Sequence, residues 1–211
     1  MGNPAQPYLQ TPLLRFSYSL VAPLYDIAIA RAMRVARQRS LGALPLDASM
    51  RVLVSGVGTG LDLPLLPESH RYTALDFNAA MLARARPRGA GREVDFVLGD
   101  SMALPFADAQ FDCAVLHLIL AVVPQPSRCL AETARVLKPG GRIILFDKFL
   151  QPGQHAPLRR VFSGLSRHFA TRMDVVFEEV LSGAPELELV SDTPALANGW
   201  FRAIVLRKAA A

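Results

Sequence analysis

Apolar and polar positions follow two rhythms along this chain. Short apolar runs of strand character occur at Val52–Val54, Tyr72–Leu75, Glu93–Leu98, Phe111–Leu116 and Arg142–Phe146. The stretches between them carry apolar residues at helical spacing. Asn78 can N-cap the helical run that follows it, and Pro87 stops that run. Ser127–Leu137 predicts another helix, closed by the turn residues Lys138, Pro139, Gly140 and Gly141. A further helix is expected between the glycines after the first strand and the second strand. Strands alternating with helices predict βαβ units and a parallel sheet. Past Asp147 and Lys148 the rhythm changes. His155–Arg172 and Asp174–Leu181 read as helices, and Leu187–Val190 and Phe201–Leu206 as an antiparallel pair at the sheet edge.

Ahead of the first strand, residues 1–14 are proline-rich and read as extended chain. Ile27, Ala30, Met33 and Val35 then interleave with Arg31, Arg34, Arg37 and Arg39, the pattern of an amphipathic helix with a basic face. Packing over the sheet explains this helix better than lying on an anionic membrane, because its apolar side is small and lacks aromatics. Gly42–Ser49 reads as a loop. The whole of 1–211 therefore reads as a single α/β domain.

Composition sharpens this picture. With 51% hydrophobic and 19% charged residues, the chain has ample material for a core and too little charge for disorder. Cys113 and Cys129 both sit in apolar segments and read as reduced, buried thiols rather than a disulfide framework. The four histidines show no ligand spacing and two cysteines cannot make a zinc site, so no metal is expected. The net charge of +5, carried almost wholly by arginine, suits an anionic partner or reflects an arginine-rich proteome. No basic tract interleaved with aromatics is present, which argues against nucleic acid. The opening residues lack a signal-peptide pattern, and Asp112 and His117 interrupt the longest apolar run, Phe111–Val123. A cytoplasmic protein is expected, with room for a peripheral place at the inner membrane face.

The candidate chemistry lies in Ser55-Gly56-Val57-Gly58-Thr59-Gly60 and in Asp76, sixteen residues past Gly60. Glycines at a strand end let a ligand approach the main chain, and an acid at the tip of the next strand can accept from ribose hydroxyls. A G-x-G-x-G turn alone is weak evidence. Flanked by two strands and the acid, it points to a nucleoside ligand.

VLVSGVGTG, ALDFNAAML, GDSMALPF, FDCAVLHLILAVVPQPSRCLAETARVLKPGGRIILFD and the trailing strands together resemble class I S-adenosylmethionine-dependent methyltransferases, over nearly the whole chain. The resemblance implies a Rossmann-like seven-stranded, mostly parallel sheet with its last strand antiparallel and helices on both faces. It implies S-adenosylmethionine as cofactor, bound by 51–148, with 1–45 as an N-terminal lid and 149–211 covering the substrate. Ser55, Gly56, Gly58 and Gly60 would form the turn, Gly56 and Gly58 lining the methionine part. Asp76 would hold the ribose, Phe77 would pack on adenine, and Asp100 would accept from the adenine amine beside the backbone of Ser101 and Met102. Leu116 and His117 would sit under the methionine moiety. Tyr18, Tyr25, His117 and Asp147 would lie near the methyl group. His117 is readable there as a general base, or as a packed and hydrogen-bonded core residue. One departure stands out: the family usually has an acid where this chain has Val54, which leaves weaker binding, compensation by Ser55 or lost activity as readings.

The opening YSLVAPLYDIAI and the form GVGTGLDLPL look most like bacterial phosphatidylethanolamine N-methyltransferases and are similar to quinone-biosynthesis C-methyltransferases. The resemblance implies N-methylation of a phospholipid amine headgroup, with C-methylation of a quinone or other small molecule as the alternative. A module that binds the cofactor without transferring methyl is a third reading. Arg159, Arg160, Arg167 and Arg172 would meet a lipid phosphate or an anionic bilayer surface. Val123-Pro124-Gln125-Pro126 is not the Asn/Asp-Pro-Pro-aromatic tetrapeptide of amino-methylating nucleic-acid enzymes. The oligomeric state stays open.

Overall fold

In a strand, successive side chains point to opposite faces, so an unbroken apolar run predicts a strand buried on both sides. β1 (Arg51–Ser55) has that form: Val52 and Val54 face one layer and Leu53 the other. The computed structural model describes residues 33–46, 48–150, 175–196 and 199–210. Its strands β1, β2 (Arg71–Asp76), β3 (Glu93–Leu98), β4 (Phe111–His117), β5 (Leu137–Lys148), β6 (Leu187–Leu196) and β7 (Phe201–Lys208) form one sheet in the order β3-β2-β1-β4-β5-β7-β6. β1 to β5 pair in parallel, and β7 runs antiparallel to both β5 and β6. This is the seven-stranded sheet the resemblance implied. The order reverses between β1 and β4, where open α/β sheets bind ligands at the carboxyl ends of their strands.

Two apolar layers cover the sheet. On one face Leu53, Ala114, Leu116, Ile143 and Leu145 pack against Cys129, Leu130 and Ala134 of α3 (Pro126–Val136) and Phe177 and Val180 of α4 (Phe177–Leu181). On the other, Val52, Val54, Ala74, Cys113, Val115 and Ile144 meet Leu63, Leu66 and the α2 residues Leu82 and Ala85. Asn78 caps α2 (Ala79–Ala85) by accepting from the Ala80 N–H. α1 (residues 33–41) places Met33 and Ala36 against Phe146 and Phe201. Both cysteines are buried free thiols.

Three local expectations are corrected. The helix expected after the glycines is a single 3-10 turn, Leu63–Leu65. Pro64 opens that turn, but Pro67 follows too soon to permit a longer helix, since proline lacks the donor that a helix interior needs. The turn residues 138–141 fall within the span of β5, which starts at Leu137 opposite Phe111, bulges through Gly140 at a φ of 75° and rejoins β4 at Arg142 opposite Cys113. β6 and β7 are longer than their apolar runs, because main-chain pairing carries them through Leu196 and Lys208. The segment expected as helix at His155–Arg172 lies outside the described residues.

Gly60 is fixed by packing. Its φ is +81°, and an added Cβ would lie 2.9 Å from Ala85 Cα on α2. Gly91 has the same φ with open space around it. Gly60→Ala is expected to lose more stability than Gly91→Ala in urea unfolding, roughly 2–4 kcal/mol against about 1, because only the first adds a clash to the backbone strain. Equal losses would show that α2 gives way freely.

Candidate active site

The carboxyl ends of the parallel strands are stitched together by short polar contacts. At the tip of β2, Asp76 accepts from the Gly58 N–H at 2.8 Å through Oδ2 and from the Asn78 N–H at 2.9 Å through Oδ1. Burial pushes this carboxyl above the usual range, and the N–H groups of Asn78, Gly58 and Phe77 offset part of that shift. Ser55 donates to Ser101 at 2.8 Å, joining the end of β1 to the loop after β3. In that loop Asp100 Oδ1 accepts from the Met102 N–H at 2.8 Å, and the Met102 carbonyl accepts from Arg128.

The glycines have separable jobs. A Cβ on Gly56 would lie 2.5 Å from Ile119, and Gly60 is blocked by Ala85, whereas a Cβ on Gly58 would meet nothing within 4 Å. Gly58, with φ of +56°, is therefore the motif glycine that faces open space beside Asp76. The side chains of Leu116 and Met102 lie in the core, leaving only their backbone at the site, while Phe77 is half-buried beside Asp76. Val54 sits in the core between Ala74 and Val115. Strand alternation turns the Ser55 side chain to the opposite face, so Ser55 does not replace an acid at Val54 in direction.

The polar group on the Val54 face is Asp62, which the sequence did not single out. It is buried, accepts twice from Arg37 Nη1 at 2.8 Å, and takes a hydrogen bond from His117 Nδ1 at 3.0 Å. Burial alone would raise its carboxyl, but the His117 and Arg37 partners override burial and hold it well below the usual carboxylate range. His117 Nε2 lies 3.1 Å from Ser40 Oγ, and Phe146 meets the ring edge-on. Both nitrogens of His117 are thus engaged. Arg37 and Ser40 lie three residues apart on α1, so the network fastens α1 to the glycine loop and to the tip of β4. A polar residue in each apolar run, Asp62 in GLDLPLL and His117 in VLHLIL, was the available signal. Tyr18 and Tyr25 lie outside the described residues.

Asp147, at the tip of β5, is wholly buried and accepts from the N–H groups of Lys148 at 2.8 Å and Ala121 at 3.1 Å. It holds the loop after β4, where Leu118 has a left-handed φ of 60°. Burial raises the Asp147 carboxyl to about 6, against the N–H groups of Lys148, Ala121 and Leu120 and the Lys148 charge.

A family model described as a methyltransferase domain matches residues 53–145. A phosphatidylethanolamine N-methyltransferase of Cereibacter sphaeroides is 34% identical over 185 residues, 84% of this chain and 89% of that protein. The chain belongs to the S-adenosylmethionine-dependent methyltransferases. A demethylmenaquinone methyltransferase of Renibacterium salmoninarum is 36% identical over 151 residues, covering 68% of this methyltransferase but only 61% of that protein. Among solved structures, a SAM-dependent methyltransferase from Thermotoga maritima superposes with a TM-score of 0.69 at 21% identity, over 92% of this chain and 99% of that one. The [4+2]-cyclase SpnF superposes with a TM-score of 0.71 at 20% identity, over 94% and 96%. Such distant likeness establishes the fold alone, which hosts more than one chemistry. Family membership makes the chain an S-adenosylmethionine-dependent enzyme and displaces the reading of a module without methyl transfer. The open space at Gly58 next to an acceptor carboxylate fits that cofactor.

Asp147 makes stability depend on pH. Its folded pKa of about 6 exceeds its ordinary 3.8, so the stabilisation it contributes is complete below about pH 4 and is lost as pH rises through 6. Urea titrations at pH 4, 5.5 and 7 should show wild type losing up to about 3 kcal/mol relative to Asp147→Asn across that window. A constant difference would mean the carboxyl titrates normally.

Proposed function

We propose that this methyltransferase N-methylates the amine headgroup of a phospholipid. The observation that carries this reading is end-to-end correspondence: the phosphatidylethanolamine relative aligns over 89% of its length, whereas the menaquinone relative aligns over 61% of its own. A cleft of about 200 Å³ lined by Arg34, Arg37, Leu61, Pro64 and Leu65 supports it, pairing an apolar wall with an exposed guanidinium, Arg34, that suits a lipid's phosphate. C-methylation of a quinone is the second reading, favoured by the identity level of that relative.

The cofactor supplies an activated methyl group on a sulfonium, so the protein's work is positioning and exclusion of water. In this reading the open backbone at Gly58 receives the methionine part, with Gly56 and Gly60 shaping the turn. Asp76 exchanges its Gly58 contact for ribose hydroxyls, Phe77 packs on adenine, and the Asp100–Met102 loop meets the adenine edge. His117 stands at the end of β4 toward the methyl position. Tyr18 and Tyr25 remain proposed neighbours of that position, and the arginines at 159, 160, 167 and 172 proposed contacts to lipid phosphate. Among the described residues no helix is long and apolar enough to cross a membrane, so the substrate would be met from the bilayer surface.

Calorimetric titration with S-adenosylhomocysteine should show Asp76→Ala weakening binding at least about 10-fold, the scale of losing a charge-assisted hydrogen bond. Labelled-methyl assays should give turnover on phosphatidylethanolamine vesicles, and co-sedimentation should favour anionic over neutral lipid. Turnover on demethylmenaquinone alone would overturn the lipid assignment. Unchanged affinity in Asp76→Ala would remove Asp76 from the pocket.

A further inference from the structure

A methyl acceptor that forms a new bond to carbon must also shed a proton, whether it is an ammonium or an aromatic C–H. We infer that Ser40 and His117 form a proton-accepting chain at the end of β4, with Asp62 and Arg37 as its positioning residues.

The geometry fixes the direction. A carboxylate only accepts, and Asp62 is held ionised, so the hydrogen bond at 3.0 Å places a proton on His117 Nδ1. In the neutral ring Nε2 is then a bare acceptor 3.1 Å from Ser40 Oγ, nearer than the Leu145 carbonyl at 3.4 Å, the other acceptor open to the single Ser40 proton. Arg37 fixes Asp62 through both carboxylate oxygens, which prevents the carboxylate from rotating away from the ring. Phe146 edge-on to the imidazole blocks tilting on the β5 side. Arg37, Ser40, Asp62 and His117 are all buried, and a dry setting strengthens each of these bonds.

For an ammonium, the N–H bond breaks and its pair stays on nitrogen to bond the methyl carbon. For an aromatic ring, a ring π pair bonds the methyl carbon and the C–H pair returns to the ring as the proton leaves. In both cases the C–S pair stays on the cofactor's sulfur. The proton passes to Ser40 Oγ as Ser40's own proton passes to Nε2, and the imidazolium, stabilised by Asp62, returns it through Ser40 once the product has left. The same residue types make a hydrolase triad, but here Ser40 Oγ lies 3.4 Å from the Leu145 carbonyl, an acceptor where an oxyanion would need donors. The inference rests on the methyl-transfer reading of this site and not on which acceptor is used.

Nitrogen-15 NMR of histidine-labelled protein, with His117 assigned from His117→Asn, reads the tautomer without substrate. The expected result is a proton on Nδ1 and a bare Nε2 whose resonance moves in Ser40→Ala. A neutral ring protonated on Nε2 overturns the chain. Asp62→Asn should reverse the tautomer, because the amide nitrogen would face Nδ1 as a donor. Should that variant fail to fold, Ser40→Ala still decides, since alanine suits a helix. With phosphatidylethanolamine vesicles, and separately with demethylmenaquinone, Ser40→Ala should lower kcat about 100-fold at unchanged KM and abolish the solvent deuterium isotope effect, and Ser40→Thr should restore both. A Ser40→Ala enzyme with kcat and isotope effect intact overturns the inference. Failure of wild type on phosphatidylethanolamine alone would refute only the lipid assignment, and the menaquinone arm and the tautomer would still decide the chain.

Discussion

A buried carboxylate costs several kcal/mol unless charged and hydrogen-bonding partners meet it, and that cost makes Asp62 the constraint on which the catalytic end of this molecule depends. Arg37 comes from α1, His117 from β4, and Asp62 from the loop that leaves the glycine turn. None of the three can leave without stranding another's charge or hydrogen bond. The network therefore fixes α1 over the carboxyl ends of β4 and β5, with Met33 and Ala36 seated on Phe146 and Phe201. Residues 33–41, expected to belong to a lid, are in this way part of the body of the domain.

The same logic runs through the other strand ends. Asp76 borrows the Gly58 N–H and the Asn78 N–H, Ser55 spends its hydroxyl on Ser101, and Asp147 gathers backbone donors from the loop after β4. These strand tips are held by a neighbour's polar group, because a buried polar atom has to find a partner. The ends of the sheet are thereby preorganised without a long helix after the glycines. Val54 fits this plan: an apolar residue completes the layer with Leu63 and Leu82, and the acid Asp62 has both oxygens occupied by Arg37 and His117.

Much of this was legible in the order of residues. The apolar runs at β1, β2 and β4 fixed the parallel core, since only a strand covered on both faces tolerates them. The tight turn at Gly56, Gly58 and Gly60 and the acid Asp76 at the next strand tip were legible too, because a positive φ and an acid at a strand tip are local properties that a short window displays. Asn78 as a cap and the helix before Leu137 are likewise local. The 3-10 turn in place of a helix at Leu63–Leu65 could have been read from Pro64 and Pro67, whose spacing leaves too few donors.

What the sequence by itself determined is therefore the sheet, its glycine turn and the cofactor class, all written in spacings of a few residues. What only the tertiary structure decided is which of the three glycines has open space beside it, which polar residues share a buried network, and how far β5, β6 and β7 extend. Those depend on partners 25, 55 and 77 residues apart, as Arg37, His117 and Ser40 are in the network around Asp62 and His117. No periodicity encodes such distances. They arise when packing closes the sheet and burial obliges each polar atom to find a partner.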